Sequence, residues 1–323
     1  MMKPMKKLLA LAVSCCMLAG LLPYPFAAAA DGPSVRVSTE TELKRVLENA
    51  VDGMTIQMAA PIAIRNTVSD DSPLAISKEV TIDGGGYNLT LWYGGIILGA
   101  DVTLKNVTLA LADTAYYGIY ANGHTLTLEN VWQSKSTSSV GLFCGSLEGT
   151  TYTLPAMGTH GTIVVKGTTN LGNLYAGSQF PRLEDQPTGA PAVYHGPSSI
   201  YIDSSATRSM GDIYASGAAK VGTGTPPPTA DPALYPVNGE VDITLYRNVC
   251  GYVDGTASDT NRASVSYRGN STPGAPLLYN IKELSVESGF LRPAQGSQED
   301  FPAVSVAPGA RVAFNDLRSP VID

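Results

Sequence analysis

The sequence predicts an all-β protein, a single-stranded parallel β-helix of about ten coils that is preceded by a short N-terminal capping helix. Composition is the first indication. Only 15% of the 323 residues are charged, whereas 33 are glycine and 22 are proline, a balance typical of many short strands joined by turns. A repeat of about two dozen residues and a strand pattern that recurs with it are the second and third indications. Together they favour stacked parallel strands over hairpins and helices.

The first thirty residues have the organisation of a secretory signal peptide, predicted for residues 1–30. Three lysines precede the apolar run 8–22, and a series of alanines ends at Ala30, after which we expect cleavage. A lipoprotein signal at Cys15 or Cys16 fits less well, because the preceding residues lack the usual leucine and the apolar run continues past both cysteines. We therefore expect a secreted or cell-surface protein.

The mature chain is acidic. Without the leader it has 18 lysines and arginines against 28 acidic residues, a formal net charge of −10. Nucleic acids and anionic membrane surfaces require a basic face, so neither is expected as a partner. Beyond the leader, no apolar run reaches the roughly eighteen residues of a membrane span. Cys144 and Cys250 are interpreted as isolated core residues, although export would permit a disulfide.

A short capping helix is predicted over residues 39–50, where Thr39 and Glu42 form a capping-box motif. Its apolar residues fall on one face at helical spacing. Such a helix would cover the open end of an apolar column and the unpaired edge of the first strand. The apolar face consists of Leu43, Val46, Leu47 and Ala50.

A gapless internal repeat carries most of the fold prediction. Residues 93–107 and 117–131 align at an offset of 24, with seven of fifteen positions identical. The core of the repeat is a four-residue strand with apolar first and third residues, followed by a turn former. Strands too far apart for hairpins can pair by parallel stacking, which joins their apolar residues into one column. The pattern recurs at 54–57, 80–83, 102–105, 126–129, 163–166, 200–203, 243–246, 263–268, 284–287 and 312–315.

Longer loops interrupt the repeat in the middle of the chain. The spacing between strand starts is 22 to 26 residues in the N-terminal third and later 37 to 43 residues where loops intrude, between the strands at 126–129 and 243–246. The largest insertion, residues 223–236, contains three consecutive prolines and is predicted to be a stiff surface loop. Because the same strand pattern continues on both sides of it, residues 31–323 are expected to form a single domain.

Several of these motifs resemble a known superfamily. The helix sequence ELKRVLENAVDGMTIQM, the strand sequence KEVTIDGGGYNLTL and the repeated TLKNV and TLENV are similar to the pectate lyase-like (pectin lyase-like) superfamily of secreted proteins. This resemblance covers nearly the whole mature chain and implies a right-handed parallel β-helix. The superfamily includes polysaccharide lyases, glycosidases and non-enzymatic surface proteins, so the resemblance alone does not select a function.

The fourth residues of the predicted strands form a column whose charge alternates from Asp83 to Asp203. Neighbouring strands would put opposite charges about 5 Å apart, which predicts a ladder of surface ion pairs. The functional alternative uses Asp83, Glu129 or Asp203 as an acid pair or as calcium ligands. Lysines separate these acids, however, and calcium needs about six oxygens. A second strand, not a helix, follows the glycines after Asp83, so this stretch is predicted to be a corner and not a phosphate site.

Catalytic motifs of the enzymes in this superfamily are missing from the sequence. Pectate lyases share clustered calcium-binding acids with a nearby arginine, and polygalacturonases share an Asn-Thr-Asp strand end, paired aspartates, Gly-His-Gly and Arg-Ile-Lys. His124, His160 and His195 lie at predicted turns without an acid pair or metal-ligand spacing. We expect no catalytic residue, metal or cofactor. The alternative is a polysaccharide lyase or glycoside hydrolase that uses an acid with Arg247 or Arg268.

Tyrosines supply the candidate ligand-binding residues. Tyr175, Tyr214 and Tyr252 recur at equivalent places after the later strands, and alternation with inward-facing apolar neighbours turns each ring outward. With Asp212 and Asp254 beside them, outward rings could bind the apolar faces of sugars or a protein partner. The simpler interpretation is that stacked tyrosines only stabilise the lateral face.

The predicted function combines these points. We expect a secreted or cell-surface, non-catalytic β-helix that binds an extracellular polysaccharide or a surface protein through its tyrosine-bearing lateral face. No cap is evident after the last predicted strand, 312–315, so self-association through the C-terminal coil is a further expectation.

Overall fold

The computed structural model describes residues 32–65, 73–93, 95–112, 118–133, 140–147, 158–180, 193–206, 211–219, 229–247, 250–270, 276–294, 297 and 301–314. The predicted signal peptide lies outside these residues, as do residues 223–228 of the proline-rich insertion. From Ser34 onward the chain belongs to one compact unit. Its described part is all-β, with one short helix and long, mostly parallel sheets.

The helix, Glu40–Glu48, begins where the capping motif predicts it. The backbone N–H of Glu42 donates to Thr39 Oγ1 at 3.2 Å, and the carboxylate of Glu42 accepts from the backbone N–H of Ser38 at 2.7 Å. These bonds satisfy donors that the first helical turn leaves without an intrahelical partner. Leu43 and Leu47 are buried in the core, so the helix packs on the sheets through its apolar face.

Sheet 1 is the largest sheet and contains the strands of the recurring pattern. All of its pairings are parallel, because strands of the other sheets lie between its successive members along the chain. Its strands are Ser34–Val37, Met54–Met58, Val80–Asp83, Val102–Lys105, Thr125–Glu129, Gly161–Lys166, Ser198–Ile202, Val241–Tyr246, Ser264–Asn270, Glu283–Leu291, Val304–Val306 and Arg311–Val312.

Sheet 1 begins and ends differently from the prediction. Ser34–Val37 is an additional first strand, paired with Met54–Met58. At the other end, Val304–Val306 pairs with the first half of Glu283–Leu291, and Arg311–Val312 pairs with its second half. The predicted last strand, 312–315, is therefore wrong as the next member of the stack. Glu283–Leu291 has nine residues, so it is long enough to pair with both of these short strands.

Sheets 2 and 3 are built from the segments between the strands of sheet 1, and both are parallel. Sheet 2 consists of Ile62–Arg65, Asn88–Tyr93, Thr108–Leu111 and Trp132–Gln133. Sheet 3 consists of Leu74–Ile76, Ile96–Leu98, Ile119–Tyr120, Leu142–Phe143, Leu174–Tyr175, Ile213–Tyr214, Tyr252–Asp254 and Leu277–Tyr279. A small fourth sheet is formed by Gln179–Phe180, Ala218–Ala219 and Thr229–Ala230.

The order in which the chain visits the sheets repeats. It passes from Val80–Asp83 in sheet 1 to Asn88–Tyr93 in sheet 2 and Ile96–Leu98 in sheet 3, and then returns to sheet 1 at Val102–Lys105. This succession of parallel strands is compatible with a parallel β-helix, although the described residues form separate sheets and not a closed solenoid.

Alternation along the strands places the core on one side of sheet 1. Val80 and Ile82 are buried, whereas Thr81 and Asp83 are half-buried on the outer side. Neighbouring strands repeat this pattern, and apolar residues of sheets 2 and 3 join the same cluster. Fully burying one such side chain contributes about 1.5–3 kcal/mol, so this continuous column is the main source of stability.

The stretch after Asp83 is a corner between sheets 1 and 2. Gly84 is buried, and a Cβ added there would lie 2.5 Å from Cβ of Val107, so the neighbouring turn leaves room only for glycine. Asn106 and Asn130 adopt positive φ angles at the same corner of the next two strands. Their side chains form a ladder, in which Nδ2 of Asn130 donates to Oδ1 of Asn106 at 3.1 Å. The predicted corner is confirmed.

Two other expectations can be compared with the described residues. Cys144 and Cys250 are both free and buried, as expected for isolated core residues. No helix in the described ranges is both long enough and apolar enough to span a membrane.

Candidate functional site

The predicted alternation of charge is present on the outer side of sheet 1, and Asp83 and Lys105 form an ion pair in it. Asp83, Lys105, Glu129 and Lys166 lie opposite one another on successive strands. The carboxylate of Asp83 is 3.5 Å from Nζ of Lys105. Partial burial alone would raise the pKa of Asp83, but hydrogen bonds from the Asn106 side chain and the Gly85 backbone, together with the charge of Lys105, hold it below its ordinary value. Asp83 thus has structural partners.

Of the arginines considered for an enzyme, Arg268 lies in a strand of sheet 1 and Arg247 directly follows one. Nε of Arg268 is 2.5 Å from Oε2 of Glu287, and the guanidinium of Arg247 lies over the ring of Tyr246 at 5.6 Å. Asp212 and Asp254, in contrast, belong to the strand region of sheet 3. The carboxylate partner of Arg268 is therefore Glu287 of sheet 1, and not Asp212 or Asp254.

One histidine has a contact that sequence reasoning missed. Nε2 of His160 lies 2.8 Å from Oγ of Ser199, which pairs with Asp242 in the next strand. The contact joins residues 39 positions apart in the chain, so no local motif could reveal it. Within the described residues, no group of three or more His, Cys, Asp and Glu side chains could hold a metal ion.

Six aromatic rings follow one another along the outer side of sheet 3. The first four are nearly parallel, with centroid separations of 4.7 to 5.4 Å. The later ones are tilted, at 6.1 Å and 5.2 Å. Parallel strands about 4.8 Å apart bring equivalent side chains to this stacking distance. In order, the rings are those of Tyr120, Phe143, Tyr175, Tyr214, Tyr252 and Tyr279.

Tyr175 is not available to a ligand, which corrects the prediction of an exposed ring. Its ring points away from the main core, but the side chain is 0% exposed because a second apolar cluster covers it. This cluster includes two residues from outside sheet 3, namely Leu147, which follows the strand Leu142–Phe143, and Ala218, which lies in a strand of the fourth sheet. The phenol oxygen of Tyr175 accepts from Nδ2 of Asn173 at 3.2 Å, and burial raises the pKa of Tyr175. Tyr175 is a core residue of the second cluster.

Tyr214 and Tyr252 are partly exposed, but they do not occupy equivalent positions. Ile213 pairs with Val253, which places Tyr214 opposite Asp254. Tyr252 therefore precedes the matching position by two residues. The prediction that the two tyrosines occupy equivalent positions is therefore wrong. The offset arises because the residue order is Asp-Ile-Tyr at the first strand and Tyr-Val-Asp at the next. Tyrosines and aspartates consequently alternate across neighbouring strands.

Each tyrosine of this pair reaches an aspartate of its own strand. The hydroxyl of Tyr214 donates to Oδ2 of Asp212 at 3.4 Å, and the hydroxyl of Tyr252 donates to Oδ2 of Asp254 at 3.5 Å. Both contacts are long, so the hydroxyls can turn to another acceptor. We call Asp212, Tyr214, Tyr252, Asp254 and Tyr279 the tyrosine–aspartate face. Tyr279 was missed in the sequence, since it ends a short strand, Leu277–Tyr279, that has no matching motif.

Asp254 is held in place by the turn that follows it. Its Oδ1 accepts from the backbone N–H of Thr256 at 3.0 Å, from Oγ1 of Thr256 at 2.7 Å and from Nδ2 of Asn280 at 3.2 Å. Its Oδ2 has only the long contact with Tyr252 among the described residues. One carboxylate oxygen is thus fixed while the other faces the tyrosines.

Burial controls protonation on this face. It raises the pKa of Tyr214 to about 12 and that of Tyr252 to about 12, with nearby aspartates as the next cause in each case. Both hydroxyls are therefore donors at neutral pH. Burial also raises the pKa of Asp212, which the hydrogen bond from Tyr214 only partly offsets. Phenol donors and carboxylate acceptors beside flat rings are a combination suited to sugars.

Comparison with known proteins returned no matching family model, no matching curated protein and no matching solved structure.

Proposed function

We propose that the protein is a secreted or cell-surface, right-handed parallel β-helix of the pectate lyase-like superfamily that binds an extracellular polysaccharide without cleaving it. The tyrosine–aspartate face is the binding surface. The repeated succession of parallel strands supports the proposed fold. The signal-peptide pattern of residues 1–30 supports export.

One observation carries the binding proposal. Three partly exposed rings lie on successive strands of sheet 3, with Tyr252 placed 6.1 Å from Tyr214 and 5.2 Å from Tyr279. The rings are tilted by 55° and 40°, so they do not bury one another face to face as the first four rings of the column do. Ring faces that are not covered by a neighbour can pack against the apolar faces of sugars.

The aspartates complete the proposed face. Sugar hydroxyls donate hydrogen bonds, and the Oδ2 atoms of Asp212 and Asp254 are acceptors beside the rings. Hydrogen bonds to charged groups contribute more than neutral ones, about 1.5–3 kcal/mol each. A linear glycan running across the strands could contact several rings, and several weak contacts together would give useful affinity.

A polysaccharide lyase or glycoside hydrolase is the competing function. A glycoside hydrolase needs two carboxyl groups at the bond that it cleaves. A lyase that used Arg268 would need a guanidinium free to reach the substrate, and Glu287 already engages it. A protein partner at the same face is the other competing function. Both are outcomes that the experiment below distinguishes.

The test combines a glycan array with an absorbance assay for unsaturated products on acidic polysaccharides. We expect at least one extracellular polysaccharide to bind and no product to form. Tyr252→Ala should weaken binding roughly tenfold, since it removes a central ring. Tyr246→Ala is the matched control, because it removes a partly exposed tyrosine of sheet 1.

Three results would contradict the proposal. Formation of unsaturated or hydrolysed products would establish the enzyme instead. Binding of no polysaccharide would leave the protein-partner function. An equal loss of binding in Tyr252→Ala and Tyr246→Ala would place the site elsewhere.

A further inference from the structure

The outer side of sheet 1 contains a cavity of about 200 Å³, away from the tyrosine–aspartate face on sheet 3. It extends over three neighbouring strands, Val80–Asp83, Val102–Lys105 and Thr125–Glu129. Side chains that can hydrogen-bond dominate its lining, namely Glu79, Thr81, Asp101, Thr103, Thr125 and Thr127.

The register of the strands places the threonines in order. Thr81 pairs with Thr103, and Thr103 pairs with Thr127. This column therefore repeats at about 4.8 Å, the distance between neighbouring strands. Thr125 precedes Thr127 by two residues and projects from the same side of its strand. Four hydroxyls thus lie around one depression.

These hydroxyls are free to bind. Within the described part of the chain, no hydrogen bond is made by the side-chain hydroxyl of Thr81, Thr103, Thr125 or Thr127. All four residues are half-buried, so access of bulk water to them is restricted. Threonine is common in strands because its branched side chain suits a pleated surface, and a threonine column alone would need no other explanation. The concave surface and the unpaired hydroxyls together indicate a ligand.

The cavity has a definite end. The threonine column continues beyond Thr127 as Val164 and then Tyr201, which replace the small polar side chain by an apolar and a large one. A volume of 200 Å³ is below the roughly 300–1,000 Å³ of pockets for drug-sized ligands. A single sugar ring is a suitable occupant.

The charges of the residues that line the cavity indicate which class of sugar it can bind. Neither lysine nor arginine is among the described residues that line the cavity, whereas two acidic residues, Glu79 and Asp101, are. Oδ1 of Asp101 accepts from the backbone N–H of Thr125 at 2.8 Å, which fixes this carboxylate at the cavity. A uronic acid would bring a third carboxylate to this place without a cation, and like charges at short distance repel. The hydroxyls of an uncharged sugar can donate to both acids and exchange hydrogen bonds with the threonines.

We propose that this cavity is a second glycan-binding site, which takes one uncharged hexose unit and rejects uronic acids. The site is separate from the tyrosine–aspartate face and stands whether or not that face binds a glycan.

The test measures binding of two oligosaccharides of equal length by isothermal titration or by NMR shifts. The probes are a neutral β-linked glucose tetramer and a galacturonate tetramer, at millimolar concentration. Thr103→Val removes one hydroxyl and keeps the branched shape and strand preference. Thr103→Tyr fills the cavity with a side chain that the same column accommodates at Tyr201. Thr244→Val is the matched control, since Thr244 is a half-buried threonine of the same column outside the cavity.

We expect the neutral tetramer to bind and the galacturonate tetramer to bind at least tenfold more weakly. Thr103→Val should weaken neutral binding about 3- to 10-fold, the effect of one hydrogen bond. Thr103→Tyr should abolish it, whereas Thr244→Val and Tyr252→Ala should leave it unchanged.

The proposal is overturned if the neutral tetramer does not bind, if Thr103→Tyr binds it like the wild type, or if galacturonate binds as tightly. A loss of neutral binding in Tyr252→Ala alone would assign that binding to the tyrosine–aspartate face. These outcomes distinguish failure of the proposal for the cavity from failure of the proposal for the tyrosine–aspartate face.

Discussion

Tyr214 lies directly opposite Asp254 in the parallel pairing of sheet 3, although a tyrosine, Tyr252, is only two residues away. This offset ends the regular ring stack that runs from Tyr120 to Tyr214, and it places Asp254 between Tyr214 and Tyr279 in the strand pairing. The covered part of the column is apolar and structural. The part with aspartates is partly exposed and is the proposed binding surface.

Tyr175 should contribute to stability and not to binding. Tyr175→Phe keeps the stacked ring and removes only the hydroxyl that accepts from Asn173. We expect a loss of about 1 kcal/mol in the free energy of unfolding, the usual contribution of one hydrogen bond, and unchanged glycan affinity. Denaturant unfolding and titration check the two parts. A tenfold loss of affinity without unfolding would restore Tyr175 as a binding residue.

Asp212→Asn should stabilise the protein at neutral pH. Burial raises the pKa of Asp212 in the folded state, so the stability linked to this carboxyl is complete below the unfolded pKa and is lost as pH rises through the folded pKa. The Asp212→Asn variant has no carboxyl group to ionise at this position, so it does not lose this stability. We expect its unfolding free energy to exceed that of the wild type at pH 7 and to approach it at pH 3.

Asp83→Asn is the control for the Asp212→Asn experiment, because its effect on stability should have the opposite sign. The pKa of Asp83 is lowered in the folded state, so its stabilising effect is present above the unfolded pKa and is lost as pH falls through the folded pKa. This variant should be less stable than the wild type at pH 7. If both variants shift stability in the same direction at pH 7, the proposed environments of these carboxyls are wrong.

Gly84→Ala should be strongly destabilising. The added Cβ would lie 2.7 Å from the carbonyl oxygen of Asn106 and 2.5 Å from Cβ of Val107, so backbone must move. Overpacking of this kind costs about 1–3 kcal/mol or more. Gly86→Asn is the control, because no atom approaches that position and asparagine tolerates its φ of 86° better than other residues. Equal unfolding midpoints for the two variants would contradict the corner geometry.

Lys105→Glu should reverse the charge ladder locally. The substitution places a new carboxylate between those of Asp83 and Glu129, so three like charges would be neighbours across strands. We expect a loss of about 1–2 kcal/mol at low salt, since each neighbouring pair contributes up to about 1 kcal/mol. The loss should shrink in about 1 M salt, where charges are strongly screened. Lys105→Gln, which only removes the charge, should lose less, and a salt-independent loss would exclude an electrostatic cause.

Local patterns made much of the fold predictable. The alternation in Val80–Asp83 specifies which side is buried, and the repeat of 24 residues sets the register that pairs Lys105 with Glu129. Asn106 and Asn130 mark the corners because asparagine tolerates a positive φ. These features depend on residues that are near one another in the chain or one repeat apart.

The candidate site was only partly predictable because it depends on packing between distant segments. The alternation of its own strand turns Tyr175 outward, and a cluster that includes Leu147 and Ala218 from distant segments of the chain buries it. The offset of Tyr252 comes from the pairing of Ile213 with Val253, which no repeat in the sequence specifies. The threonines of the cavity were recognised as strand residues, but a concave surface cannot be read from alternation.

Titration of the polysaccharide identified by the glycan array into the wild type, Tyr252→Ala and Tyr175→Phe tests the central claim most directly. Binding should weaken roughly tenfold in Tyr252→Ala and stay unchanged in Tyr175→Phe, with both variants folded by circular dichroism. Wild-type affinity in a folded Tyr252→Ala variant would contradict the assignment of glycan binding to the tyrosine–aspartate face.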